Sequence, residues 1–353
     1  MKLKKIFLSA FMALTCAVTL TACNGNENSD SSDNSTSQNN VTSDNSTSEN
    51  SSAENSTPET AKPDKVRVVA LKGPTAMGMT KMMSDREGDT GFEFEILAAP
   101  DEITPKIAQG KVDIACVPAN LGAVLFNNTE GKVQAAAVNT LGVLYICENG
   151  DSVKSLDDLK GKTVYSAGKG STPEYALNFI IKNSGLENDV TIEWKSEHAE
   201  CLAALLANEN SVAMLPQPFV TTAQAKNEGV RVALDLNDEW DKLGSDSSLL
   251  TGIVIVRTEF AESYPETVKD FLEEYGASVK YVNENVEAAA ELVGKYDIVP
   301  AAVAVKAIPN CHIVCVTGGE MRNMLSGYLR VLFENEPKSV GGKLPTEYFY
   351  FVG

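Results

Sequence analysis

Histidine is nearly absent from this chain: only His198 and His312 occur in 353 residues. General acid–base pairs and metal-assisted hydrolytic sites draw heavily on imidazole, so this scarcity leaves little from which to build a catalytic centre. A nucleophile elbow, a kinase signature and a zinc-protease motif are all missing as well. Basic residues are in deficit, 30 Lys and Arg against 48 Asp and Glu, for a formal net charge of −18. That balance removes the electrostatic footprint of a nucleic-acid binder and any polybasic patch for anionic lipid; its simplest consequence is solubility. Of seven cysteines, Cys16 and Cys23 fall near the start, leaving Cys116, Cys147, Cys201, Cys311 and Cys315. Cys116 and Cys147 sit in apolar runs where a thiol behaves as a small buried hydrophobe. In an extended segment the Cα atoms of Cys311 and Cys315 stand roughly 13 Å apart, beyond disulfide reach. No structural disulfide is expected.

What the chain does have begins at its start. Lys2, Lys4 and Lys5 precede an apolar run from Ile6 to Leu20, and small residues lead to Cys23, the layout of a secretory signal. The run is shorter than the roughly 20 residues that span hydrocarbon, and Ser9, Thr15 and Thr19 interrupt it. Leu20-Thr21-Ala22-Cys23 resembles the lipobox of bacterial lipoproteins, which implies removal of residues 1–22 and acylation of Cys23. Two or three acyl chains hold a protein on a membrane where one alone does not. The expected location is the extracytoplasmic face of a bacterial cell membrane. Residues 23–64 are almost entirely Ser, Asn, Thr, Asp and Glu, with too few apolar side chains to offset chain entropy. They read as a disordered tether with a reach on the order of 35 to 40 Å.

Charge divides unevenly along the chain: three lysines and no acid in the signal, eight acids against Lys62 in the tether, and 26 bases against 40 acids beyond it. The remaining part, from Lys65 onward, is long enough for two lobes. Short β-branched runs alternate with amphipathic segments, which argues for an α/β fold with largely parallel sheets. Strands are expected at Val66–Leu71, Phe92–Ala98, Val112–Val117, Thr163–Ala167, Val190–Trp194, Ser211–Leu215, Val230–Leu234 and Leu250–Val256, with two more in Val133–Glu148 broken at Leu141-Gly142. A helix holding Met77, Met79, Met82 and Met83 follows the first strand, and Ser155–Lys162 reads as a short capped helix. Further helices are expected at Asp101–Gln109, Glu197–Asn208, Phe219–Asn227, Tyr264–Val282, Val286–Tyr296 and Gly319–Phe333. In Gly168-Lys169-Gly170-Ser171-Thr172-Pro173-Glu174, glycines, cap hydroxyls, an early Pro and a first-turn acid mark a helix start. Leu250–Val256 is taken as a return crossing. Lobe 1 then comprises 65–147 and 250–353, with lobe 2, 148–249, inserted between.

Loops entering helices at the carboxyl ends of strands present free N–H groups and partial positive charge. Lys72, Gly73, Pro74 and Thr75, then Gly168, Lys169, Gly170, Ser171 and Thr172, and then Gln217, Pro218 and Phe219 fall at such ends. Singly each is a βα turn; together, in opposite lobes across one cleft, they mark a ligand site. Gly168-Lys169-Gly170 is neither a P-loop nor a dinucleotide fingerprint. Glu197-His198-Ala199-Glu200-Cys201 matches no zinc framework and reads as an exposed acidic helix face beside a buried Cys, and His312 as a satisfied core or cleft residue. No catalytic residue, cofactor or metal is expected.

The lipobox, the tether, Gly110-Lys111-Val112-Asp113-Ile114-Ala115, Ser155–Lys162, Gly168–Tyr175 and Leu215-Pro216-Gln217-Pro218 occur in an order that resembles the substrate-binding lipoproteins of ABC importers, in the nitrate, taurine, alkanesulfonate and thiamine-precursor group. The resemblance covers nearly all of Lys65–Gly353. It implies a type II periplasmic-binding-protein fold, two α/β lobes joined by a two-strand hinge, closing as a monomer around a small molecule that passes to ABC permease subunits. It adds Pro118, Ala119 and Asn120 to the ligand-binding loops. Lys72 and Lys169 suit a sulfonate or carboxylate; Phe219, Tyr165 and Tyr145 are candidates to stack on a pyrimidine. An enzyme on the same fold, like thiamine-pyrimidine synthases, and a ligand sensor for a surface receptor are the alternatives.

Overall fold

Val66–Leu71 (β1) buries five of its six side chains, the pattern of a strand covered on both faces. The computed structural model that places it describes residues 62–244 and 247–352, so the signal, Cys23 and all but the last three tether residues lie outside the described residues. From β1 the chain runs through α1 (Pro74–Met77), α2 (Thr80–Asp85), β2 (Phe92–Leu97), α3 (Pro100–Ala108), β3 (Ile114–Pro118), α4 (Ala119–Asn128) and β4 (Val133–Leu141). It crosses to β5 (Leu144–Asn149), β6 (Thr163–Ser166), α5 (Thr172–Asn183), β7 (Thr191–Trp194), α6 (His198–Ala207), β8 (Val212–Pro216), α7 (Phe219–Lys226), β9 (Val230–Asp235) and α8 (Leu236–Lys242). It returns through β10 (Leu250–Arg257) and ends with α9 (Thr258–Ser263), α10 (Pro265–Glu284), α11 (Val286–Lys295), α12 (Ala301–Ala307), β11 (Ile313–Val316) and α13 (Gly318–Asn335).

Two sheets result, ordered β11-β4-β10-β3-β1-β2 and β7-β6-β8-β5-β9. They are mixed, which corrects the expectation of largely parallel sheets. Pairs made by local βα units, β1 with β2 and β3, and β6 with β7 and β8, are parallel. The strands that carry the chain between sheets run against their neighbours: β10 is antiparallel to β3 and β4, and β5 to β8 and β9. The first crossing falls at Gly142-Val143, since Leu144–Glu148 already pairs with β8, so residues 144–147 sit in the second sheet and not in lobe 1. The return at Leu250 pairs with Leu141 of β4, beside the outgoing crossing.

The expected methionine helix is instead two short helices. Ser278 of α10 inserts its hydroxyl at the break, donating to the Gly78 carbonyl at 2.6 Å and accepting from Met82 N–H at 3.1 Å, the two groups that a continuous helix would join. Gly78 allows this approach: a Cβ there would lie 2.9 Å from both Tyr275 Oη and Ile313 Cγ2. Met77, Met79 and Met82 are buried in the resulting contact. The Ser155–Lys162 helix shortens to a single 3-10 turn, Leu156–Leu159, entered under the Asp158 carboxylate, which accepts from the N–H groups of Lys154 and Ser155. Sequence reading missed α4, α8, α9, α12 and β11.

Helix α13 packs on both lobes. Its Tyr328 ring lies 5.8 Å from Trp240, which in turn lies 4.4 Å from Phe179, so a buried aromatic row ties α13 to α8 and α5. One apolar cluster accordingly runs from Val69 and Leu71 in the first sheet to Ile146 and Val164 in the second. In lobe 1, Asp113 is buried against Arg67 (2.7 and 2.8 Å) and Arg257 (2.9 Å). Burial alone would raise this carboxyl, but the two guanidiniums outweigh it and hold it below the usual carboxylate range.

Candidate functional site

The loops at the facing ends of the two sheets line a half-open cavity of about 220 Å³. Lys72, Gly73, Pro74 and Thr75 line it from β1 and α1, and Pro118 from the end of β3. Ser171 and Thr172 from the start of α5, and Gln217, Pro218 and Phe219 from the start of α7, line it from the other side. Ten of the fifteen residues read from sequence thus surround one space. Added to them are Leu71, Val143, Leu144, Pro173, His198, Pro216 and Thr251.

The remaining five lie elsewhere. Ala119 is fully buried at the start of α4. Asn120 is buried at the lobe junction, donating to the Ser339 carbonyl at 3.3 Å and accepting from Thr172 Oγ1 of the opposite lobe at 3.3 Å. Gly168, Lys169 and Gly170 do not line the cavity because the turn folds over its own helix start. Gly170 N–H donates to Glu174 at 2.6 Å and Ser171 Oγ to the Gly168 carbonyl at 2.7 Å, leaving Lys169 exposed. Tyr145 is buried with its hydroxyl on the Asn310 carbonyl, and Tyr165 lies under Lys195, so of the three rings considered only Phe219 reaches the cavity.

His198 departs most from the sequence reading. Glu197 and Glu200 are exposed and Cys201 is buried, but the imidazole between them turns inward and lies 5.5 Å from the Phe219 ring. Burial pushes its pKa down to about 4, so it is neutral at ordinary pH. Its Nδ1 is buried without a protein partner, as is the Thr251 hydroxyl on the other lobe. The pairing of His198 with Phe219 was not legible locally: it exists only where α6 and α7 lie side by side. His312 lies at the crossing, Nδ1 to the Gly142 carbonyl at 2.6 Å, and Asn237 Nδ2 donates to the same carbonyl at 3.1 Å. Among the described residues no group of three or more His, Cys, Asp or Glu is placed to hold a metal ion.

Two α/β sheets, the first built from two separate stretches of chain and the second from the stretch between them, joined by adjacent crossings beside a cavity, have the architecture of a periplasmic-type solute-binding protein. The chain belongs to the family described as ABC transporter, phosphonate, periplasmic substrate-binding protein, whose model matches residues 77–302. It is thereby a substrate-binding component of an ABC transporter. No curated protein matches the chain. Among solved structures, an ABC transporter protein from Parabacteroides distasonis is similar at 23% identity and TM-score 0.70, over 82% of this chain and 99% of that one. The periplasmic aliphatic sulphonate binding protein SsuA of Escherichia coli is similar at 17% identity and TM-score 0.65, over 80% and 96%. A Candida albicans protein with the generic periplasmic binding protein fold reaches 0.51 at 12% identity, over 80% and 92%.

Proposed function

We propose that this protein captures a small organic molecule in the cavity between its lobes and delivers it to an ABC permease, acting as a monomer held to the membrane by lipid on Cys23. The single observation that carries the reading is the convergence of Lys72–Thr75, Pro118, Ser171-Thr172 and Gln217–Phe219, from both lobes, on one cleft. A ligand that touches both lobes only when they are together shifts the hinge equilibrium toward closure, and a permease can recognise the closed form. The site's role is capture and not turnover: its polar groups hold a ligand, and no nucleophile–base pair stands among them.

The test is mass spectrometry of small molecules that co-purify with the folded protein, followed by thermal denaturation with the identified compound. Stabilisation is expected in the native sequence. Ser171→Trp, which fills the cavity from the rim of α5, is expected to abolish it. Unchanged affinity in that variant sinks the site assignment. Anchoring is separable: Cys23→Ala is expected to move the protein from the membrane fraction to the soluble fraction of whole cells while the ligand-induced shift is kept. Retention on the membrane contradicts the anchor.

A further inference from the structure

Gln217 brings a carboxamide to the cavity wall, a group that donates from one edge and accepts at the other. What it offers a ligand depends on which edge faces the cavity. Its backbone is held first: Gln217 N–H donates to the carbonyl of Val143, at the crossing between the sheets, at 3.0 Å. Its side chain then folds over the start of α7, where Oε1 accepts from Thr221 Oγ1 at 2.9 Å and from Thr221 N–H at 3.4 Å.

Those two bonds fix the amide's orientation. A backbone N–H can only donate, so the edge beside it must be the oxygen. Turning the amide over would set its NH2 against the Thr221 N–H and take the acceptor from the Thr221 hydroxyl proton. Thr221 is buried and, one turn along α7, stands outside the cavity lining. Because Gln217 lines the cavity while its Oε1 is turned onto a residue behind the wall, the edge left toward the cavity is Nε2. Gln217 is only 5% exposed, yet Nε2 has no acceptor among the described residues and is not sealed from solvent.

A nearly buried NH2 without a partner is completed by an acceptor supplied from the cavity. Phe219 adjoins it in the same lining, and its N–H, at the first helical position of α7, has no intrahelical acceptor. We infer that Thr221 is a positioning residue that locks the Gln217 amide with its NH2 toward the cavity, and that Gln217 so held makes this wall select ligands that place a hydrogen-bond acceptor against it. This assignment rests on the capture reading above and deepens it. The feature selected is a lone pair, which a sulfonate, a phosphonate, a carboxylate and an uncharged sulfone all carry.

Matched phenyl probes provide the test: benzenesulfonate, phenylphosphonate, benzoate and methyl phenyl sulfone present acceptors, and benzylammonium presents donors only. Thermal denaturation of the purified full chain at pH 8 is expected to show stabilisation by at least one acceptor probe and none by benzylammonium. By titration calorimetry, Thr221→Val, which keeps the shape and loses the hydroxyl, is expected to weaken the best acceptor probe about three- to tenfold, and Thr221→Ser to restore it. In a Gln217→Ala background Thr221→Val should cost nothing further, because the amide it orients is gone. The side-chain amide NMR signals of Gln217, identified by their loss in Gln217→Ala, are expected to shift when the probe is added to the native sequence. A probe that binds equally well to Thr221→Val, a cost of Thr221→Val that persists without Gln217, or amide signals unmoved by the bound probe overturns the inference; binding that is still lost in Ser171→Trp then keeps the capture reading intact. Benzylammonium stabilising as well as the acceptors overturns the inference too. Silence of every probe also overturns it, and the capture reading is then decided by the co-purifying compound alone.

Discussion

At the scale of single residues, His198 shows how one side chain reports on its surroundings. Its pKa is lowered from the ordinary 6.5 to about 4 by burial, so between those values the unfolded chain binds a proton that the folded chain refuses. Stability therefore rises with pH across this window: the contribution is fully present above about 6.5 and is lost as pH falls toward 4. The size is on the order of 2 kcal/mol, the shift being set by desolvation and not by a charged neighbour. His198→Asn removes the titrating group. Denaturant unfolding at pH 4.5 and 7.5 should then show a stability difference smaller by about that amount than in the native sequence. Equal differences in the two proteins would mean that the imidazole is hydrated and its burial without consequence. Nothing in Glu197-His198-Ala199-Glu200-Cys201 announces this behaviour, because two exposed acids flank a ring whose environment is made by Phe219 on another helix.

At the scale of elements, strands were legible and the packing of helix ends was not. Buried runs such as Val66–Leu71 and Leu250–Val256 are long, β-branched and bounded by turns, and each sits in a sheet as its pattern requires. β11, four residues paired irregularly at a sheet edge, carries too little pattern to be found. The methionine helix was misread for a different reason: Met77, Met79, Met82 and Met83 have helical spacing, but the break depends on Ser278, some two hundred residues away in sequence. That bridge has a measurable worth. Ser278→Ala leaves the Gly78 carbonyl and the Met82 N–H facing one another across the gap the hydroxyl filled, both buried. Chemical denaturation should show a loss of about 1–3 kcal/mol with an unchanged m-value. A neutral outcome would mean that α1 and α2 fuse into one continuous helix and satisfy both groups themselves. The candidate site was legible in the same uneven way: turns entering α1, α5 and α7 were found by their Gly, Pro and hydroxyl residues, whereas the aim of Gly168–Gly170 depended on Glu174 folding back.

At the scale of the whole molecule, Gly142 lies at the crossing between the two sheets, under a polar contact that both sides share. Its carbonyl accepts from His312 and from Asn237, which stand in different lobes, so the crossing strand is clamped from both sides when the lobes are together. His312 holds its place at a φ of +43°, a left-handed backbone that a residue with a side chain adopts only when its surroundings impose it. A side chain at 142 is incompatible with this clamp: a Cβ there would stand 1.7 Å from Asn237 Oδ1. Gly142→Ala must expel Asn237 and lose its bond to the hinge, which disfavours the closed arrangement by about 1 kcal/mol while leaving each sheet as it was. Because the apparent affinity falls with the fraction of molecules able to close, ligand binding should weaken about fivefold although no cavity residue has changed. Small-angle scattering of the unliganded variant should give a larger radius of gyration than the native sequence. If both radius and affinity stay put, closure is governed by the aromatic row that joins α13 to Trp240 and Phe179 and not by the crossing at Gly142.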